Sequence, residues 1–208
     1  TGIEVTTEMI DRESPGAVII ATGSHPTLPP VPGADLPHVA TVWQVLQGGK
    51  RAQPGEAVLI YDTIGFHQAT STAEFLADQG CDVEVVTGQF YVGGDLSITL
   101  DLELWYRRAL AKGIRMTANH FLASIGPASA TIINNYSGQA RQIEPLALIV
   151  MATQQAANDE LYFQLQGKVK ELYRVGDCVA PRRVEHAILD GERAARALGS
   201  PDRGLKPG

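Results

Sequence analysis

The sequence predicts an α/β fold organised around parallel strands covered on both faces. Three observations carry this. The runs Ala17–Ala21, Ala57–Tyr61 and Leu146–Met151 are continuously apolar, not alternating, as expected of strands buried on two sides. Between Ala57 and Thr87 a strand, a helical pattern and a second strand follow at the spacing of a βαβ crossover. Leu172–Val175 then reads as a short strand leading through Gly176-Asp177 and a loop with Pro181 into a helix that runs to Leu198.

Each element has its own warrant in chain order. Ile3 and Val5 share one face of an extended Gly2–Thr7, which reads as a strand, and Ser14-Pro15-Gly16 is a turn. After Ala17–Ala21 come Thr22-Gly23-Ser24 and a segment with four prolines between Pro26 and Pro32, an extended crossover. A short helix is expected at 42–46 around Trp43. In the crossover, Ala69, Ala73, Leu76 and Ala77 mark one helical face and Gly80 its stop. A helix over 101–112 has Asp101 as N-cap, a Glu103–Arg107 pair one turn apart and an apolar stripe of Leu102, Trp105, Tyr106 and Ala109. Segments 114–117, 121–125, 130–134 and 141–143 predict a small β-meander. Asn158-Asp159 should cap a helix over 160–166. The last helix carries Val184, Ala187, Ile188, Ala194, Ala195 and Leu198 on one face, with Gly199 beyond its end.

Composition narrows the function classes. The 208 residues are 44% apolar and 19% charged, enough for one large or two small domains. The net charge of −6 is spread over interspersed acids and bases, which argues against a nucleic-acid surface. No apolar run approaches the roughly 20 residues of a membrane helix. Cys81 and Cys178 lie far apart, form no CxxC and leave a disulfide reductase without its redox pair. The five histidines show no ligand spacing, so no metal site is expected. This composition reads as cytoplasmic.

Candidate chemistry lies at the strand ends. Asp177 stands where a strand meets the approach to a helix, the crevice in which α/β sheets bind ligands, and a carboxylate there can accept hydrogen bonds from ribose or ribityl hydroxyls. Ala152-Thr153-Gln154 repeats the ending Ala21-Thr22-Gly23 with Gln in place of Gly, a weak internal repeat. In the crossover, the loop Asp62-Thr63-Ile64-Gly65-Phe66-His67-Gln68 has one glycine where a dinucleotide site wants G-x-G-x-x-G. Thr87-Gly88 stands where an acid for the ribose 2′-OH is expected. The second strand–helix unit is open to two readings, a nucleotide site or a structural domain.

Gly176-Asp177-Cys178, Ala180-Pro181-Arg182 and Ala187–Gly191, with the Ala17–Ser24 strand, resemble the multidomain NADH:flavin oxidoreductases. This family includes trimethylamine dehydrogenase, 2,4-dienoyl-CoA reductase and the mycofactocin-associated old-yellow-enzyme-like proteins. The loop Asp62–Gln68 resembles the degenerate loop of its trimethylamine dehydrogenase and mycofactocin-associated branch. The resemblance covers nearly the whole chain. It implies two Rossmann-like domains of glutathione-reductase type, one inserted in the other: residues 1–48 with 158–208 as a partial FAD/ADP-type domain, and residues 49–157 as the NAD(P)-type insert with its meander.

The resemblance implies cofactor-binding roles for Thr22, Gly23, Gly176 and Asp177 toward FAD or ADP, and for Asp62, Gly65, His67 and Gln68 toward NAD(P)H. It names no catalytic acid or base, because hydride transfer is cofactor chemistry. It further implies that the chain is a carboxyl-terminal fragment, inactive alone. An upstream FMN-binding barrel, a 4Fe–4S centre and the first FAD glycines would lie elsewhere in a homo-oligomeric parent. The parent would pass electrons between NAD(P)H, FAD, FMN and a small organic substrate. The alternative is a vestigial nucleotide fold that serves as a structural or interaction module.

Overall fold

The structure, a computed structural model, describes residues 2–198. In chain order it holds α1 (Thr7–Glu13), β1 (Ala17–Ile20), β2 (Ser24–Pro26), β3 (Val39–Thr41), α2 (Val42–Leu46), β4 (Ala57–Asp62), α3 (His67–Asp78) and β5 (Asp82–Thr87). A 3-10 turn at Gly94–Ser97 precedes α4 (Leu102–Ala111). Then come β6 (Arg115–Thr117), β7 (His120–Gly126), β8 (Ser129–Asn134), β9 (Ala140–Ile143), β10 (Leu148–Ala152) and β11 (Gln155–Ala157). α5 (Glu160–Leu165), β12 (Glu171–Arg174), a 3-10 turn at Gly176–Cys178 and α6 (Val184–Ala197) follow.

The chain divides into two compact units. One takes the chain through residue 25 and again from residue 155; the other comprises residues 26–154. This places residues 26–48 in the second unit and residues 155–157 in the first, against the boundaries expected from sequence at 48/49 and 157/158. The reason is β3, which pairs with β10 and so belongs to the sheet of the second unit.

That sheet has five strands, all parallel, in the order β3-β10-β4-β5-β6. Its strands show why their sequences are continuously apolar. Val58 and Ile60 of β4, with Val83 and Val85 of β5 and Val150 of β10, pack in one cluster with Ala69, Ala73 and Leu76 of α3 and Trp105 of α4. The intervening Leu59, Val86 and Ile149 pack in a second cluster with Leu122, Ala130 and Ile132 of the meander. Alternate residues thus serve opposite faces, and both faces are dry. The meander is the antiparallel sheet β7-β8-β9, bulged between Leu122 and Ser124. Segment 114–117 does not join it; β6 is instead the edge of the parallel sheet, paired with β5.

The local signals of the helices are as read only in part. Thr41 and Gln44 form a capping box at α2. Glu103 and Arg107 pair on α4, 2.5 Å apart. Two expected caps act otherwise. Asp101 makes no cap hydrogen bond and lies 3.6 Å from His67 Nε2. Asp159 makes none at α5 and instead takes Arg174 at 2.8 Å. An ion pair on a half-buried guanidinium holds the carboxylate more firmly than one backbone N–H does.

In the first unit β1 and β12 form a two-stranded parallel sheet, in register from Ala17↔Glu171 to Ile20↔Arg174. Its small core joins Ile10 of α1, Ile20, Leu165 of α5 and Cys178. Ile19 on the opposite face is 42% exposed, so β1 is covered on one side only. Gly2–Thr7 is no strand. Ile3 and Val5 are exposed, and the Thr6 hydroxyl accepts from Met9 N–H to start α1. α6 spans the expected residues, but its stripe is not core-facing. Val184 is 73% and Ile188 67% exposed, and only Ala194 is buried. Gly199, the expected stop, lies outside the described residues. Among the described residues no helix is long and apolar enough to cross a membrane.

Candidate functional site

The first unit brings its candidate residues together through one pairing. Because β1 and β12 run parallel as neighbours, their carboxyl ends place Ala21-Thr22-Gly23 beside Val175-Gly176-Asp177, and Val175 N–H donates to the Ile20 carbonyl at 2.9 Å. Two positive-φ glycines let the backbone turn here: Gly23 at +75° and Gly176 at +71°. A side chain at Gly176 would press on Ala187 Cβ of α6 at 3.3 Å, so this glycine also lets the helix seat against the turn.

Hydrogen bonds fix the two strand ends separately. The Thr22 hydroxyl donates to the Asn158 carbonyl, and Asn158 N–H donates to the Gly23 carbonyl at 2.9 Å. Thr22–Gly23 is therefore anchored by Asn158. On the other side, Asp177 Oδ1 accepts the Arg182 N–H at 3.1 Å and closes the loop between them. Asp190 of α6 accepts from Gly176 N–H at 3.2 Å and from the Arg182 guanidinium at 2.5 Å. Asp177 Oδ2 has no hydrogen-bond partner among the described residues and remains an available acceptor. Cys178 is fully buried, its thiol 3.1 Å from both the Ile20 and Val175 carbonyls, and is a packing residue.

The second unit arranges its candidates differently. Asp62, at the end of β4, is fully buried and its carboxylate turns inward. Oδ1 accepts Ile64 N–H at 2.9 Å and Gly65 N–H at 2.8 Å, while Oδ2 is buried without a partner. Burial pushes this carboxyl up to about 6, with the nearby Asp95 adding to the rise, against the two backbone N–H groups that favour its charge. Gly65 has φ +76°, and a Cβ there would collide with the Gln89 side-chain amide. Its carbonyl accepts Asp95 N–H at 2.9 Å. The segment after β5 thus lies against the β4–α3 turn, where a dinucleotide site needs open backbone. His67 is half-exposed beside Asp101, and Gln68 is half-buried with its Oε1 unpartnered. Thr87 is fully buried and accepts Gln89 N–H at 3.3 Å.

Three contributors escape a reading of the sequence alone. Asn158 reads there as a helix cap, Asp190 is part of a quoted motif with no role, and Gln89 has no signal. Asp190 carried the one usable hint, an acid inside a helix and facing back toward a glycine turn. Among the described residues no group of His, Cys, Asp or Glu could hold a metal ion.

No family model matches the chain. Individual proteins do. It is 27% identical over 221 residues to N,N-dimethylglycine/sarcosine dehydrogenase of Chromohalobacter salexigens, an alignment covering 88% of this chain and 31% of that protein. It is 30% identical to the probable N-methylproline demethylase of Rhizobium meliloti, over 92% of this chain and 32% of the relative. The solved structure of 6-hydroxypseudooxynicotine amine oxidase from Pseudomonas geniculata superimposes with a TM-score of 0.88 at 28% identity, over 95% of this chain and 31% of that one. The chain spans about a third of the length of the curated relatives it matches. These relatives are flavin-dependent oxidoreductases of the NADH:flavin oxidoreductase family, and it is this family that the chain resembles over nearly its whole length.

Proposed function

We propose that the chain is the nucleotide-binding portion of a longer flavin-dependent oxidoreductase, with FAD or ADP held by the first unit. The observation that carries this is the pair of strand ends at Thr22–Gly23 and Gly176–Asp177. Asp177 offers Oδ2 to a ribose or ribityl hydroxyl while Arg182 N–H holds Oδ1 in place. Gly23 and Gly176 keep the adjoining backbone free of side chains. A bound flavin supplies electron-pair acceptance and release; the residues here bind and orient it. The relatives' threefold greater length and the uncovered α6 face fit a parent with an FMN-binding barrel and a 4Fe–4S centre in the same polypeptide, assembled as a homo-oligomer. In that parent electrons would pass between NAD(P)H, the flavins and a small organic substrate.

For the second unit a structural role is favoured over nicotinamide binding. The Gln89 amide stands against Gly65, and Asp62 spends its carboxylate inside the turn. The unit then retains a Rossmann-type insert as a scaffold.

Thermal unfolding with ADP, FAD or NADH tests both statements. Any ligand that binds the native state alone raises stability, by about 2.7 kcal/mol at a hundred times its Kd. ADP or FAD should raise Tm, NADH should not, and Asp177→Ala should abolish the rise while the fold is retained. Absence of any shift, or a shift that survives Asp177→Ala, would leave the chain a structural module. A shift with NADH that Gln89→Ala enlarges would restore a nicotinamide site to the second unit.

A further inference from the structure

The second unit contains a cleft remote from the β4–α3 turn, between α2 and α3, with a volume of about 400 Å³. This is within the size of small-molecule sites, roughly 300–1,000 Å³. Its floor is apolar, from Val45 and Leu76, at 2% and 1% exposure. Its walls are Leu46 and Phe75, large apolar side chains left 50% and 39% exposed, with the polar Gln47 and Gln79 beside them. At its rim stand two cations, Lys50 and Arg51.

The charge pattern around this cleft is one-sided. On α3, Phe75 and Leu76 turn toward α2, while the acids Glu74 and Asp78 are drawn to the other side by Arg108 and Lys112 of and after α4. Among the described residues that line the cleft there is no carboxylate. Lys50 Nζ donates only to the Pro37 carbonyl, at 2.6 Å, and Arg51 has no partner among the described residues. Gly48, at φ +77°, makes the turn that returns the chain to the cleft; a Cβ there would touch the Arg51 guanidinium at 3.0 Å. Two cations without an ion pair among the described residues thus stand over a hollow lined in part by Val45, Leu46, Phe75 and Leu76.

We propose that this cleft binds a small amphipathic carboxylate, its apolar body between Leu46 and Phe75 and its carboxylate at Arg51 and Lys50. The hollow is flanked by a helix of only five residues, which suits a compact molecule better than a docked segment of a partner. A carboxylate meeting Arg and Lys at the edge of an apolar cavity forms charge-assisted hydrogen bonds with reduced competition from water. The site is independent of the nucleotide reading, since none of its residues takes part in it.

The test uses 4-phenylbutyrate and its uncharged analogue 4-phenylbutanol with the intact protein, followed by calorimetry and by Phe75-proximal NMR shifts. Saturable binding of the acid below about 1 mM is expected, with the alcohol and the Arg51→Glu variant each weaker by about tenfold or more. Arg51 is exposed and unpartnered, so this variant should keep its fold, which circular dichroism checks. Phe75→Ala should weaken acid and alcohol alike. Absence of saturable binding, or binding that Arg51→Glu leaves unchanged, overturns the assignment. So does displacement of the probe by an acidic, leucine-rich peptide that binds more tightly than any free acid, which would assign the cleft to a protein partner.

Discussion

At the scale of single residues, two buried carboxylates show how environment sets opposite behaviour. Glu84 of β5 is 3% exposed, yet its pKa is lowered. Burial alone would raise it, but hydrogen bonds from Arg141 and Thr117 and the charges of Arg141 and Arg115 outweigh that cost. Asp62 has only backbone N–H groups and an acid for company, and its pKa rises to about 6. The sign follows. Folded Asp62 holds its proton to higher pH than the unfolded chain, so stability is greatest below the unfolded value near 4 and falls as pH rises through about 6. Asp62→Asn keeps an oxygen for Ile64 and Gly65 and removes the buried charge. It should raise stability at pH 8 by on the order of 2 kcal/mol and change little at pH 4. Asp62→Ala strands two N–H groups and should destabilise at both. Urea unfolding of the three proteins at the two pH values checks this; a wild-type curve flat between pH 4 and 7 would refute it.

At the scale of elements, long apolar runs were legible and short strands were not. β4 and β10 announce themselves because their residues face covered surfaces on both sides, whereas β5, with Asp82 exposed and Glu84 inside it, is legible from its place in the βαβ crossover. β2, β3 and β11 have three residues each, too few for a period, and exist because a neighbouring strand recruits them. α1 was masked by the Ile3/Val5 alternation, which local capping at Thr6 overrides. For the candidate site, Gly176 and Asp177 could be read because turn and acid are adjacent in sequence. The anchors could not, since Asn158 meets Thr22 across 136 residues and Asp190 meets Gly176 across 14. The tie from α6 to the turn is testable. Asp190 is the acceptor for one backbone N–H and one guanidinium, so Asp190→Ala should cost about 1–3 kcal/mol. Glu192, on the same helix, makes an exposed pair with Arg196 at 2.6 Å, and Glu192→Ala should cost less than about 0.5 kcal/mol. Equal losses in denaturant titration would mean that the Asp190 bonds do not hold the turn.

At the scale of the molecule, the two units differ in how completely they bury what their sequences offer. The second closes both faces of a five-stranded sheet. In the first, the two-stranded β1-β12 sheet has one covered face, and a helix presents an outward stripe of Val184 and Ile188 to solvent. A stripe of this kind on an amphipathic helix has the composition of a covered surface. The proposed parent would cover it with a neighbouring part of the polypeptide, and this separates two contexts for one substitution. Ile188→Lys in the chain alone changes an exposed position, so its stability should shift by no more than about 0.5 kcal/mol. In the longer polypeptide the same lysine would be forced under an apolar contact without a partner, and the cost should be several-fold larger. Parallel urea titrations of both forms, with and without the substitution, measure the difference. An equal, small effect in both forms would mean that α6 stays open in the parent and that its apolar face belongs to a separate partner.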